Sequence, residues 1–163
     1  SYLLQERPGE TIFWTTIASA ASPKAEALRK LGISVIGLDS LPKKPGNHEG
    51  VRAELDLRQG LIALRKEYDC LHVLCEGGGR LGLSLLEKRL AGELHLHLSP
   101  RIPADNEATP LFNGLSPLQI DEGLPMRVTT TAMCGEDVVI SLRPNDPPAP
   151  VADCGPAHET RNA

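Results

Sequence analysis

The sequence has no apolar run of membrane-spanning length, no stripe of Lys and Arg, and no C-x-x-C pair. Each absence removes a class of protein. A transmembrane helix needs roughly 20 consecutive apolar residues; without one, and with no signal-peptide pattern at its start, the chain is expected to be soluble and cytoplasmic. Its Lys and Arg are scattered and its formal net charge is −4, with a pI near 5.7, so nucleic acid is not an expected partner. The four cysteines, at 70, 75, 134 and 154, have the spacing of neither a zinc site nor a dense disulfide framework. They read as reduced thiols, with Cys75 in a core strand. There is no internal repeat. The chain opens on Ser1 rather than Met, which fits a fragment or a processed product. Its 163 residues, 40% of them hydrophobic, suffice for one domain with a core and leave no room for a second full one.

What is present centres on Leu71 to Leu90, LHVLCEGGGRLGLSLLEKRL. Leu71 to Cys75 has the length and composition of a buried strand, and the leucines at 81, 83, 85, 86 and 90 follow a helical pattern. Between them stands Glu76-Gly77-Gly78-Gly79. Glycines at a strand-to-helix junction open backbone conformations closed to other residues and let a ligand lie against the peptide units. A helix starting there turns free N–H groups and the positive end of its dipole toward the ligand, which suits phosphate. The motif is not a standard phosphate loop. G-x-x-x-x-G-K-[ST] is absent, and no strand-plus-acid arrangement of Rossmann type surrounds the glycines at 77, 79 and 82. A tight turn with no ligand fits the glycines equally well. Glu76 tilts the reading toward a site, because ligands of open α/β sheets bind at the carboxyl ends of strands; a solvated or helix-capping acid is its plain alternative.

Elsewhere, Thr11 to Thr15 reads as a strand, and Ser22-Pro23 starts a helix with Ala25, Leu28 and Leu31 on its apolar stripe, ended by Gly32. Ile33 to Leu38 is a second strand, residues 41 to 50 a surface loop, and residues 56 to 67 a helix capped by Asp56. This alternation predicts parallel βαβ units. Glu93 to Ser99 alternates like a strand; a loop follows over residues 100 to 110. Met126 to Met133 and Asp137 to Leu142 form a closing antiparallel hairpin. Residues 1–144 are expected to form the domain and residues 145–163 a flexible tail.

Three further features carry chemistry. His95 and His97 share a strand face and can chelate a metal, but no third ligand stands at a sensible spacing, and a polar sheet face explains them as well. Thr15 and Thr16 end the first strand, where their hydroxyls can meet a ribose or phosphate or serve simply as β formers. Arg80, just inside the helix, can pair with a cofactor phosphate or remain a solvated arginine.

The run from Val73 to Ile102 resembles the C-terminal reductase domain of the bifunctional riboflavin-biosynthesis deaminase/reductase and its stand-alone relatives of dihydrofolate-reductase-like fold. The residues that carry the likeness are Glu76-Gly77-Gly78, Ser84-Leu85-Leu86, Glu93-Leu94 and Pro100. A looser likeness extends over residues 11 to 144. Gly92 stands where the family prefers Asp, and Ile102-Pro103-Ala104 replaces its usual turn, departures that bear on loop shape rather than on the glycines. The resemblance implies a mixed, mostly parallel α/β sheet with flanking helices and a C-terminal antiparallel hairpin. It implies NADPH as cofactor, a phosphoribosylamino-pyrimidine substrate reduced from ribosyl to ribityl, and a homodimer. Gly77, Gly78, Gly79, Arg80, Leu81, Gly82, Leu83 and Ser84 would hold the cofactor, and Glu76 would contact the substrate. The deaminase motifs H-x-E and P-C-x-x-C are absent, so only the reductase side is represented. The family's N-terminal segment, with its Ser-Leu-Asp-Gly-like motif and central strand, has no counterpart before Thr11. A non-catalytic nucleotide-binding or dimerisation fragment, and a reductase of the same fold acting on another substrate such as a pterin, are the alternatives.

Overall fold

Capping residues and turn glycines set most of the elements in the computed structural model, which describes residues 5–42, 54–105, 107–113, 123–146 and 148. The chain divides into two compact units, Ser1–Val73 and Leu74–Ala163.

In the first unit a short 3-10 turn, Pro8–Glu10, leads into β1, Ile12–Thr16. Thr16 caps the one-turn helix α1, Ile17–Ala20, its side-chain oxygen accepting from the Ser19 amide. Ser22 does the same for α2, Pro23–Lys30, accepting from the Ala25 amide, with Pro23 in the first turn, where a missing N–H costs nothing. Gly32 then turns the chain at φ +88, and β2, Ser34–Leu38, runs parallel to β1 in a register from Ile12 opposite Ser34 to Thr16 opposite Leu38. This is the expected βαβ crossover. Asp56 sets the next element: its carboxylate accepts from the Arg58 and Gln59 amides and starts α3, Leu57–Glu67. Ala25, Ile33, Leu38 and Leu57 are buried and make the core of this unit.

The second unit begins with α4, Gly79–Glu87, followed by β3, Leu94–Leu98, β4, Met126–Cys134, and β5, Asp137–Pro144. The three strands form an antiparallel sheet in the order β3-β5-β4. Gly135, at φ +64, makes the expected hairpin turn, and β4 carries a register shift between Val128 and Thr130. Leu86 of α4 is buried, as is Ser141 of β5.

One expected element is missing. Residues 71 to 75 form no strand; Leu71, Val73 and Leu74 are 69%, 54% and 79% exposed, and Cys75 is exposed rather than in the core. Composition supplies apolar, β-forming side chains, but a strand exists only where a neighbour accepts its backbone hydrogen bonds. No described strand pairs with this run, so the parallel sheet stops at two strands. The helix after the glycines ends at Glu87, leaving Leu90 outside it. Most of the expected loop at 41 to 50, and nearly all of the expected tail, lie outside the described residues. Cys70, Cys75 and Cys134 are free thiols, as expected.

Candidate functional site

The glycine run forms the start of α4. Gly78 is its N-cap, with φ −69 and ψ 170 and no side chain to close the first turn. The Leu81 and Gly82 amides both donate to the Gly78 carbonyl, at 3.0 and 3.1 Å. The amides of Gly79 and Arg80 precede this first intrahelical bond and have no acceptor within the helix. They sit at the positive end of the helix dipole.

The glycines serve a different purpose from the one their composition suggests. Among the described glycines only Gly32 and Gly135 take positive φ, so none of the three in the run uses the left-handed region. Their value is space, and it differs at each position. A Cβ on Gly77 would fall 2.7 Å from the Leu81 side chain; one on Gly79 would fall 2.5 Å from the Leu111 carbonyl oxygen; one on Gly78 would meet nothing within 4 Å among the described residues. Only Gly78 faces open space.

The surrounding side chains divide by exposure. Glu76, Arg80 and Leu81 are exposed, and Arg80 has no hydrogen bond or ion pair among the described residues. Gly82, Leu83 and Ser84 are half-buried, with Ser84 about 7.5 Å beyond Gly79 along the helix axis at the standard rise. Glu76, Gly77, Gly78, Gly79, Arg80 and Leu81 therefore gather around one helix start, whereas Leu83 and Ser84 lie in its later turns. Thr15 and Thr16 belong to the first unit, and the Thr16 hydroxyl is engaged with both the amide and the hydroxyl of Ser19, at 3.2 and 2.9 Å. Leu111 and Phe112, which reach Gly79 and Gly82, carry no local sequence signal that would have singled them out.

His95 and His97 do share a sheet face, but His95 is engaged in a polar network. Its Nδ1 lies 3.0 Å from Ser141 Oγ and its Nε2 3.5 Å from Glu93 Oε1. The other Glu93 oxygen accepts from Arg143 Nε and Nη2, at 3.0 and 2.9 Å. No group of three potential metal ligands occurs among the described residues.

Parallel βαβ in one unit and an antiparallel sheet with a helix in the other define a mixed α/β protein. The profile of the RibD C-terminal domain matches residues 3–140, and the chain belongs to that family. The riboflavin biosynthesis protein RibD of Actinobacillus pleuropneumoniae is 27% identical over 128 residues, covering 77% of this chain and 31% of that protein. Two structures of Acinetobacter baumannii RibD, forms 2 and 1, superpose with a TM-score of 0.63 at 20% identity, covering 86% of this chain and 32% and 33% of theirs. That likeness carries the fold, which is dihydrofolate-reductase-like. The chain spans about a third of the length of these relatives. No helix among the described residues is long and apolar enough to cross a membrane.

Proposed function

We propose that this chain is a reductase of riboflavin biosynthesis that uses NADPH to convert the ribosyl group of a phosphoribosylamino-pyrimidine to ribityl. The observation that carries the reading is the open helix start at Gly78, beside Glu76, within a chain whose residues 3–140 match the RibD C-terminal domain. The residues present fit a phosphate-bearing cofactor: the Gly79 and Arg80 amides lack intrahelical acceptors, and no atom of the described residues lies within 4 Å of where a Gly78 Cβ would stand.

NADPH, when bound, supplies the hydride, while the protein supplies orientation and electrostatics. In this reading the Gly79 and Arg80 amides hold a cofactor phosphate, Gly78 leaves room for it, and the Arg80 guanidinium adds a charge-assisted contact. Gly77, Leu81, Gly82, Leu83 and Ser84 complete the cofactor wall. Glu76 faces the substrate, where its carboxylate accepts hydrogen bonds from the sugar or its amino link. A second copy of the chain completes a homodimer in the cytoplasm, and neither nucleic acid nor a membrane takes part.

Calorimetric titration of NADPH into the 163-residue chain tests the cofactor, with NADH alongside to read the preference. Saturable binding is expected, and no binding overturns the reading. Turnover of the pyrimidine substrate tests the reaction. The exposed run at 71 to 75 favours a second reading, a nucleotide-binding or dimerisation fragment without catalysis. Binding without turnover of the pyrimidine or of a pterin, even in a longer parent chain or an associated state that protects 71 to 75, would support it; turnover of a pterin alone would support a different reductase on the same fold.

A further inference from the structure

We infer that Leu111 and Phe112 form a fixed wall beside the cofactor site proposed above, seated there by the missing side chain of Gly79. The inference rests on that site reading, and Phe112 is assigned as a positioning residue.

Gly79 and Gly82 are three apart on α4 and share a helix face. A Cβ on Gly79 would lie 2.5 Å from the Leu111 carbonyl oxygen and 3.0 Å from the Phe112 Cα, both backbone atoms. Backbone cannot swing aside as a flexible side chain does, so the segment lies in the notch that Gly79 leaves. At Gly82 the same Cβ construction reaches the edge of the Phe112 ring at 3.6 Å, an ordinary contact. The ring therefore lies along the second turn and fixes where the backbone of 111 and 112 crosses the first.

That crossing is one residue from the open cap at Gly78, on the turn whose Gly79 and Arg80 amides lack intrahelical acceptors. The glycines thus divide their work: Gly78 admits the ligand, while Gly79 admits the wall that confines it. Phe112 is half-buried and Leu111 is 61% exposed, so the segment is anchored by the ring and presents its other side chain outward. A wall set by ring packing holds the ligand close to the free amides without contributing a charge of its own.

The test is NADPH titration by calorimetry, with melting followed by circular dichroism, on the full chain and on Gly79→Ala, Phe112→Ala, their double variant, Phe112→Tyr and Gly78→Val. Gly79→Ala and Phe112→Ala are each expected to raise the Kd about fivefold or more, and the double to add roughly twofold at most, because both act through one segment. Phe112→Tyr, which keeps the ring, is expected to bind like the parent. Hydrogen exchange at the amides of Leu111 and Phe112 should quicken in Gly79→Ala without any ligand. Unchanged Kd in folded Gly79→Ala and Phe112→Ala, with Gly78→Val weakened, overturns the wall and leaves the site reading standing. Unchanged Kd in Gly78→Val overturns the site reading itself. If Gly79→Ala does not fold, Phe112→Ala against Phe112→Tyr decides the matter: a loss in Ala restored in Tyr supports the wall, and equal binding overturns it.

Discussion

A Cβ on Gly78 would meet no atom of the described residues within 4 Å, so a side chain there extends toward whatever ligand lies over the helix start. Gly78→Val should therefore fold, since its φ of −69 and ψ of 170 are open to valine, and should weaken NADPH binding tenfold or more. That is about 1.4 kcal/mol or greater. Calorimetry beside a melting curve reads both quantities, and a folded variant of unchanged affinity removes the glycines from the site. Glu76 calls for a different substitution, because its proposed work is done by charge. Glu76→Gln preserves shape and should leave the NADPH Kd unchanged while lowering kcat/KM for the pyrimidine substrate. Equal losses in both would place Glu76 on the cofactor side or in the scaffold.

At the scale of elements, legibility follows the locality of the signal. Ser22-Pro23, Gly32, Asp56 and Gly135 act within a turn of their own position, and each is legible from its neighbours alone. The glycines of 77 to 79 are legible as an opening but not in kind. Composition suggests unusual φ, whereas the structure uses the space, because the atoms that crowd Gly79 come from Leu111 and Phe112, far along the chain. Gly60 illustrates the same limit in α3, where no reading of the helix anticipates that the Trp14 ring rests on it. A Cβ there would fall 2.7 Å from that ring. Alanine in a helix interior is favoured over glycine by about 1 kcal/mol, but overpacking costs roughly 1–3 kcal/mol, so Gly60→Ala should lower the melting temperature. Trp14→Leu frees the space, and in that background Gly60→Ala should cost less or stabilise. A Gly60→Ala penalty that is the same in the Trp14→Leu background as in the parent chain would mean that the ring is not the obstacle.

At the scale of the whole molecule, the feature that most needs explaining is the run from Leu71 to Cys75, which has the side chains of a core strand and the exposure of a surface loop. Strand formation depends on a partner, and none of the described strands supplies one. β3 is in a related position, paired among the described strands with β5 alone, with Leu98 53% exposed. Open apolar strands invite pairing with another chain, and burying a leucine or valine is worth roughly 1.5–3 kcal/mol. Backbone groups buried there without partners would cost about 1–3 kcal/mol each, so the burial has to bring hydrogen bonds with it. We therefore predict that 71 to 75 becomes a paired strand only with a segment of a longer parent chain or of a neighbouring subunit, and that the 163-residue chain alone has an incomplete substrate pocket and little turnover. Hydrogen exchange at His72, Val73 and Leu74 should be fast in the dilute chain. It should slow in a longer parent or as concentration drives association, and turnover should rise with the protection. Slow exchange at these amides in a monomer of this chain, together with normal turnover, would show that the strand completes itself and that no added segment is needed.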